Sequence, residues 1–349
     1  MNPSIAQKER IISLDIIRGF ALFGILLINV RAFKILTDGM AIPDYNGING
    51  IVDILIDILI EKKFFSIFSF LFGVGFYIFT SRAESRGDKP RWRFARRLLV
   101  LLLIGIIHFF FFWGSILAVY AVIGFFLIPF YRAKVSTISK WLGGLITVHI
   151  IALLMVIFAP NMGIFTSVYT FLGNDTITIF IMFLSGFLAA KANWIRRITE
   201  LSTQIRGLQM VTLPLFIGFS ILIWFASQGT DQHIQEFIAL GTIPTTYLYL
   251  SSMFVILENK RIGELLQPVA RVGQMAFTNY WAQSFIGLAI IDIMNLEIVS
   301  PINSVIISII IFTIQIIFSM VWFKFFKMGP LEKIWRFMTY GRNTAAVKK

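Results

Sequence analysis

Three polar side chains interrupt the first long apolar run of the chain. Residues 13–30 are numerous enough to cross a bilayer, yet they include Asp15, Arg18 and Asn29. An ionisable residue inside a span costs roughly 2.5–3.5 kcal/mol on the insertion scale, so it usually faces the protein interior or a wet cavity. Asp15 and Arg18 share a helical face. They either pair as an anchor for the helix or present the planar fork of Arg18 to an anion such as a phosphate.

A histidine in a second apolar run is the candidate general base. His108 lies about 16 Å along a helix from Arg97, and Asn29 lies about 21 Å from Asp15. If both helices start at the cytoplasmic surface, Asn29 and His108 reach a similar depth in the outer half. Imidazole titrates near neutrality and is the usual general base. A lone histidine in an apolar helix is also a common structural hydrogen-bonding group, so both interpretations stay open.

A polar strip opens the ninth apolar run. Asn279 and Gln283 are four residues apart on one helical face, and Tyr280 and Ser284 share the adjoining face. Such side chains either hold helices together or line a cavity for a donor molecule. We expect a donor-binding site made of Asp15, Arg18, Asn279, Tyr280, Gln283 and Ser284. The expected catalytic residues are His108 and Asn29.

The elements that position these residues are membrane-spanning helices. The chain has 349 residues, of which 57% are hydrophobic and 14% charged, whereas a soluble domain carries about 25% charge. Its mean hydropathy is +0.81. These values and the recurring apolar runs predict an all-α polytopic membrane protein with one transmembrane domain, residues 1–349. The expected spans are 13–33, 64–81, 97–113, 115–131, 141–159, 170–190, 209–227, 237–257, 273–293 and 304–326.

The distribution of basic residues predicts the orientation. With a cytoplasmic N-terminus, the inner segments contain 26 of the 31 Lys and Arg residues and the outer segments contain 4. Positive charge collects on the cytoplasmic side, so both termini, including a tail at 327–349, are expected inside. The net charge of +13 therefore reflects topology and does not indicate nucleic acid. The outer segment 34–63 contains an amphipathic helix that either lies in the interface or recruits an acceptor.

The sequence lacks the residues that thiol chemistry and metal binding require. There is no cysteine, which excludes disulfides and thiolate catalysis. The remaining histidines, His149 and His233, are weaker candidates than His108. Because the three histidines lie far apart without HExxH spacing, no metal cofactor is expected.

Five segments together resemble the YeiB family of bacterial membrane proteins, a family of unknown function. They are residues 14–29, 63–76, 96–124, 273–284 and 329–341. One departure is Ser115, which stands where relatives often have an acidic residue. The family in turn resembles the transmembrane acyltransferases, which include heparan-α-glucosaminide N-acetyltransferase, in the pattern of Asp15, Arg18, Gly19 and Asn29. In that enzyme the catalytic histidine follows the first span, where this chain has no histidine.

The resemblance implies a multi-pass protein of the cell membrane that moves an acyl group from cytoplasmic acyl-CoA to an acceptor in the cell envelope. We expect Arg18, Asn279 and Gln283 to hold the CoA moiety. His108 would take the acceptor's proton in a direct transfer, and Asn29 would orient the acceptor or stabilise the oxyanion. The alternatives are a transporter of a small anion or lipid-linked molecule, and a scaffold in an envelope complex. Membrane lipids and a further copy of the chain are the other expected partners.

Overall fold

The computed structural model describes residues 3–38, 43–112, 114–161, 163–229 and 233–341, and it describes side chains from residue 12 onward except at 34–38. These residues form α-helices and short 3₁₀ helices, with no β-strand among them. The α-helices are α1 (Pro3–Asp38), α2 (Gly47–Leu59), α3 (Lys63–Ser85), α4 (Pro90–Phe111), α5 (Leu117–Phe125), α6 (Val135–Phe158), α7 (Ile164–Leu172), α8 (Asp175–Lys191), α9 (Ser202–Gln228), α10 (Ile234–Ile256), α11 (Lys260–Leu265), α12 (Gln267–Gln274), α13 (Ala276–Ile293), α14 (Pro301–Phe325) and α15 (Pro330–Tyr340).

Helices long and apolar enough to cross a bilayer recur through the chain. Within the described residues there are eight such stretches. They are Ile12–Phe33, Gly47–Ser85, Pro90–Phe111, Val135–Phe158, Ile164–Lys191, Ser202–Gln228, Ile234–Ile256 and Pro301–Phe325. The protein is therefore an all-α polytopic membrane protein, and the predicted fold class is confirmed.

Two of the ten expected spans are not among these eight stretches. Residues 115–131 contain α5, whose nine residues rise only about 13 Å, followed by the 3₁₀ helix Ile128–Arg132. Residues 273–293 contain the end of α12 and the whole of α13. The 18 residues of α13 rise about 27 Å, but several are polar and buried, which lowers the mean hydropathy of the helix. The number of ten spans and their orientation stay predictions.

The described residues form two compact units, each assembled from separate segments. The first unit contains the described residues within 1–13, 45–74 and 133–264, and the second contains those within 14–44, 75–132 and 265–349. The second unit includes every expected site residue. The tail predicted at 327–349 contains α15, and residues 342–349 of it lie outside the described part.

In the first unit, backbone contacts and a histidine hold helices together. A Cβ at Gly73 of α3 would collide with the backbone of Phe183 in α8, so only glycine allows these helices to approach so closely. His149 is buried in α6, where its Nδ1 lies 2.8 Å from the carbonyl oxygen of Leu172 and its Nε2 lies 3.2 Å from the Thr178 hydroxyl. Through these two partners His149 joins α6 to α7 and α8.

The predicted amphipathic helix in the outer segment is α2. Ile54 and Ile58 form a buried cluster with Ile223 of α9 and Ile238 of α10. The outward side of this helix is apolar and not acidic, because Ile51 is exposed while Asp53 and Asp57 are half-buried. Its position relative to the membrane surface stays a prediction.

In the second unit, α1 packs closely against α12 and α13. The N-terminal part of α1 passes very close to α12, since a Cβ at Gly273 would collide with the carbonyl oxygen of Asp15. Farther along, Phe33 of α1 lies where a side chain at Gly287 would have to be placed. The apolar core around these contacts consists of Leu26, Val30, Phe33, Phe112, Ile291, Val299, Ile307 and Ile311.

The helix α15 caps the N-terminus of α13. The carboxylate of Glu332 accepts hydrogen bonds from the backbone N–H groups of Phe277 at 2.8 Å and Thr278 at 3.2 Å, and from the Thr278 hydroxyl at 2.5 Å. Trp335 donates from Nε1 to the carbonyl oxygen of Arg97 at 3.0 Å. Glu332 and Trp335 thus attach α15 to α13 and α4 of the same unit.

Candidate active site

His108 is completely buried near the end of α4, and each of its ring nitrogens has a serine partner. Nδ1 lies 2.8 Å from Oγ of Ser115, and Nε2 lies 3.1 Å from Oγ of Ser284. The rings of Tyr280 and Trp281 lie beside the imidazole, with centroids 5.6 Å away in both cases. Few polar residues lie near His108 in the sequence. One of its partners, Ser284, comes from α13, 176 residues farther along the chain. Ser115 comes from the turn that follows α4.

The two serines can define the tautomer of His108. A neutral imidazole carries one N–H donor and one acceptor nitrogen, whereas a hydroxyl both donates and accepts. If Nδ1–H donates to Ser115, Nε2 accepts the hydroxyl proton of Ser284. In that arrangement a nucleophile, a base and an orienting group lie in sequence within hydrogen-bonding distance, which is the geometry of an activated nucleophile.

Tyr280 connects the histidine to α1. Its hydroxyl accepts a hydrogen bond from the backbone N–H of Ile116 at 3.2 Å and interacts with the side chains of Asn29 and Ser115. The side chain of Tyr280 is 5% exposed, so water has little access to these bonds. Asn29, Tyr280, Ser115, His108 and Ser284 therefore form one buried polar cluster, which we call the histidine cluster. It supplies a base, hydroxyl groups and an amide in a water-poor environment.

The polar strip on α13 divides between two faces. Asn279 donates to the carbonyl oxygen of Val272 and to Oγ of Ser319, both at 3.1 Å. Gln283 donates to Gln315 at 3.1 Å, and Gln315 donates to the backbone carbonyl of Asn279 at 2.8 Å. Asn279 and Gln283 thus bond to α12 and α14, and the interpretation as groups that hold helices together accounts for them. Tyr280 and Ser284 point instead to the histidine cluster.

A second polar cluster, which we call the arginine cluster, contains Asp15, Arg18 and Arg97. Arg18 donates from Nη1 to Asp15 at 2.7 Å and to the carbonyl oxygen of Gly273 at 3.3 Å. The Arg18 side chain is still 30% exposed, so part of its fork is accessible. The guanidinium of Arg97 stacks on Trp335 at 3.9 Å and on Phe79 at 4.9 Å, and it lies near enough to Arg18 for their charges to repel.

The charge of the arginine cluster favours an anion. Asp15 is the carboxylate that pairs with Arg18, and no ion pair of Arg97 occurs in the part of the chain that the structure describes. Two guanidinium groups with one carboxylate leave an excess positive charge, and a guanidinium fork matches the oxygens of a phosphate. From the sequence, Arg97 was only the first residue of the span expected at 97–113. Its spacing to Trp335, 238 residues later, contains no signal that joins the two.

No group of three His, Asp or Glu side chains arranged for a metal ion occurs among the described residues. The two polar clusters differ in composition: one contains an imidazole with two hydroxyl partners, and the other contains two guanidinium groups and a carboxylate.

Comparison with known proteins places the chain in a family. It is 32% identical to an uncharacterized 39.9 kDa protein from the amylase 3′ region of Bacillus acidopullulyticus, over 98% of this chain and 97% of the relative. It is also 25% identical to the uncharacterized protein YeiB of Escherichia coli K12, over 98% of this chain and 99% of that protein. The chain belongs to the YeiB family. Bacillus subtilis YxaH, also uncharacterized, is a further relative of this YeiB-family protein, at 28% identity over 97% of this chain and 96% of the relative.

The family description that matches is "Protein of unknown function (DUF418)", over residues 189–342. This part of the YeiB-family protein includes α13 with Tyr280 and Ser284, and α15 with Glu332. His108 and the arginine cluster precede it in sequence. No solved structure matches the chain.

Proposed function

We propose that this YeiB-family protein is a transmembrane acyltransferase of the cell membrane. It takes an acyl group from acyl-CoA on the cytoplasmic side and delivers it to a hydroxyl or amine of an envelope acceptor. The observation that carries the proposal is the burial of His108 between two serine hydroxyls, beside Tyr280 and Asn29. This arrangement brings a base, hydroxyl groups and an amide together in one buried cluster.

His108 acts as the general base of the transfer. When Nδ1–H is held by Ser115, the lone pair on Nε2 is free to take a proton from a hydroxyl or amine. General-base catalysis contributes typically 10²–10⁴-fold in rate. The burial of the ring excludes water, which protects the acyl group from hydrolysis.

Donors for the developing oxyanion are available in the same cluster. The Asn29 amide and the Tyr280 hydroxyl are both able to donate to the carbonyl oxygen of the acyl group. One such donor in a dry site is typically worth 10²–10³-fold in the catalytic rate. We assign the oxyanion to Tyr280 and Asn29, in agreement with the role expected for Asn29 from the sequence.

The arginine cluster supports a phosphate-bearing donor. Arg18 and Arg97 supply two planar forks, and the CoA moiety carries several phosphate oxygens. Asp15 orients Arg18 through the 2.7 Å hydrogen bond. We propose that the phosphates of CoA bind to Arg18 and Arg97, while the thioester end extends to His108.

The absence of cysteine makes a direct assay possible. Purified protein in lipid nanodiscs is mixed with acyl-CoA esters of 2 to 16 carbons in the presence of a chromogenic thiol reagent and a membrane-envelope extract as acceptor. Because the chain has no thiol, the protein itself does not react with the reagent, and extract without acyl-CoA measures the background from its own thiols. We expect CoA release that depends on both the protein and the extract. Absence of release with every ester would contradict the proposed reaction.

Calorimetry with CoA separates donor binding from catalysis. Arg18→Lys keeps the charge but loses the bidentate fork, so CoA should bind about tenfold more weakly than to the wild type. The matched control is Arg206→Lys in α9 of the first unit, which should bind CoA as the wild type does. Binding of CoA without acyl transfer would favour a carrier of anions instead.

A further inference from the structure

The hydroxyl that faces Nε2 of the base is that of Ser284, at 3.1 Å. We infer that Ser284 is a nucleophile that carries the acyl group as an ester, so that the transfer runs in two steps. This inference rests on the proposed function and replaces the direct transfer expected from the sequence. Its geometric basis is the 3.1 Å separation between Nε2 of His108 and Oγ of Ser284, with Ser115 on the other ring nitrogen.

Because Ser284 already occupies Nε2 of His108, an incoming group reaches Ser284 before it can bond to the imidazole. Ser284 is 2% exposed and His108 is fully buried, and the rings of Tyr280 and Trp281 lie on the imidazole. A substrate hydroxyl would have to displace Ser284 from Nε2 before it could give up its proton. A thioester carbonyl needs only to reach Oγ of Ser284.

In the first step, Nε2 of His108 takes the hydroxyl proton as Oγ of Ser284 attacks the thioester carbonyl. The C–S bond breaks, and CoA leaves as the thiol with the proton from His108. In the second step, the acceptor hydroxyl or amine gives a proton to His108 and attacks the ester carbonyl. The C–Oγ bond then breaks, and Ser284 regains its proton from His108. No oxidant, reductant or further reactant is required.

A fluorophosphonate probe tests the nucleophile without knowledge of the substrate. Such a probe forms a P–O bond to an activated serine with loss of fluoride. We expect one label per chain of folded wild type in nanodiscs, located at Ser284 by peptide mass spectrometry. Ser284→Ala should remove the label, and His108→Ala should slow labelling at least 100-fold. Ser308→Ala, a substitution of another buried serine in α14, should label at the wild-type rate.

The outcomes separate this inference from the proposed function. Absence of labelling in the wild type, or persistence of the label in Ser284→Ala, would overturn the role of Ser284. CoA release that continues in Ser284→Ala would show acyl transfer without a serine ester. A labelled Ser284 in a protein that releases no CoA would keep the nucleophile and overturn acyl-CoA as its donor.

A groove between α12 and α14 shares no lining residue with either polar cluster. It encloses about 220 Å³ and is lined by Gln267, Pro268, Arg271, Met320, Phe323 and Lys324. The cations Arg271 and Lys324 adjoin apolar side chains. The Arg271 guanidinium lies 5.3 Å from the centre of the Phe323 ring. A cavity that combines cations with apolar side chains suits an amphiphilic anion.

The outer face of α14 continues the groove along the helix. Exposed apolar residues recur on this face at Ile306, Ile310, Ile314, Ile317 and Val321. From Ile306 to Lys324 the helix rises about 27 Å, which is comparable to the thickness of the hydrocarbon core. We propose that the groove binds an anionic phospholipid, with its phosphate at Arg271 and Lys324 and an acyl chain along α14.

Native mass spectrometry with added lipid tests this site. Phosphatidylglycerol should bind more tightly than phosphatidylcholine, and Lys324→Gln should weaken its binding about fivefold. Lys140→Gln removes the same charge from α6 and should leave binding unchanged. Equal binding of the two lipids, or no effect of Lys324→Gln, would overturn the proposal. Displacement of the lipid by millimolar inorganic phosphate would assign the groove to a free anion instead.

Discussion

Removal of the Glu332 carboxylate should destabilise the helix that carries Tyr280 and Ser284. Glu332→Ala loses two backbone hydrogen bonds and one hydroxyl hydrogen bond at the N-terminus of α13. Hydrogen bonds to a charged group contribute about 1.5–3 kcal/mol, and a negative charge at a helix N-terminus contributes about 0.3–1 kcal/mol more. Since these terms overlap and water replaces part of the loss, we expect about 3 kcal/mol of destabilisation. Glu332→Gln retains one acceptor oxygen and should lose about 1 kcal/mol.

Equilibrium unfolding in mixed micelles of sodium dodecyl sulfate measures this loss through tryptophan fluorescence. The matched control is Glu264→Ala in α11, which removes an exposed carboxylate and should unfold within about 0.5 kcal/mol of the wild type. Wild-type stability in Glu332→Ala would refute the capping role. A loss as large in Glu264→Ala would show that general charge, and not the cap, determines stability.

Three further predictions concern packing, catalysis and topology. Gly273→Ala places a Cβ against the Asp15 backbone and should cost at least 1–3 kcal/mol in the same unfolding assay, whereas Gly263→Ala has open space and should be neutral. Tyr280→Phe removes an oxyanion donor, so kcat for CoA release should fall about 100-fold with KM unchanged; a change in KM alone would contradict this. A reporter fused near Asp44 should lie outside and one after Arg197 inside; a cytoplasmic result at Asp44 would contradict the orientation.

The fold class was predictable because it depends on composition and on the length of apolar runs. The polar character of α13 was also visible in the sequence, since Asn279, Tyr280, Gln283 and Ser284 occupy adjacent positions. Which of these residues meets His108 was not predictable. That outcome depends on the rotation of α13 against α4, which the packing of distant residues sets.

Ser115 and Arg97 show what the sequence conceals. Ser115 was notable in the sequence only as a departure from the family pattern, and its hydrogen bond to His108 arises because the chain returns beside α4 after this helix ends. Arg97 was only the first residue of an expected span, and its stacking on Trp335 requires α15 to dock on α4. Similarly, Glu332 lies in the tail predicted at 327–349, and its carboxylate caps α13. In each case the partner lies in an element whose position local sequence does not determine.

The turnover of His108→Ala tests the central claim most directly. The measurement is CoA release in nanodiscs with the acyl-CoA ester that the wild type uses best, together with the melting temperature of each variant. We expect His108→Ala to release CoA 10²–10⁴-fold more slowly than the wild type, while His233→Ala in the first unit turns over normally. Turnover in folded His108→Ala at the wild-type rate would contradict the account and leave His108 as a structural residue.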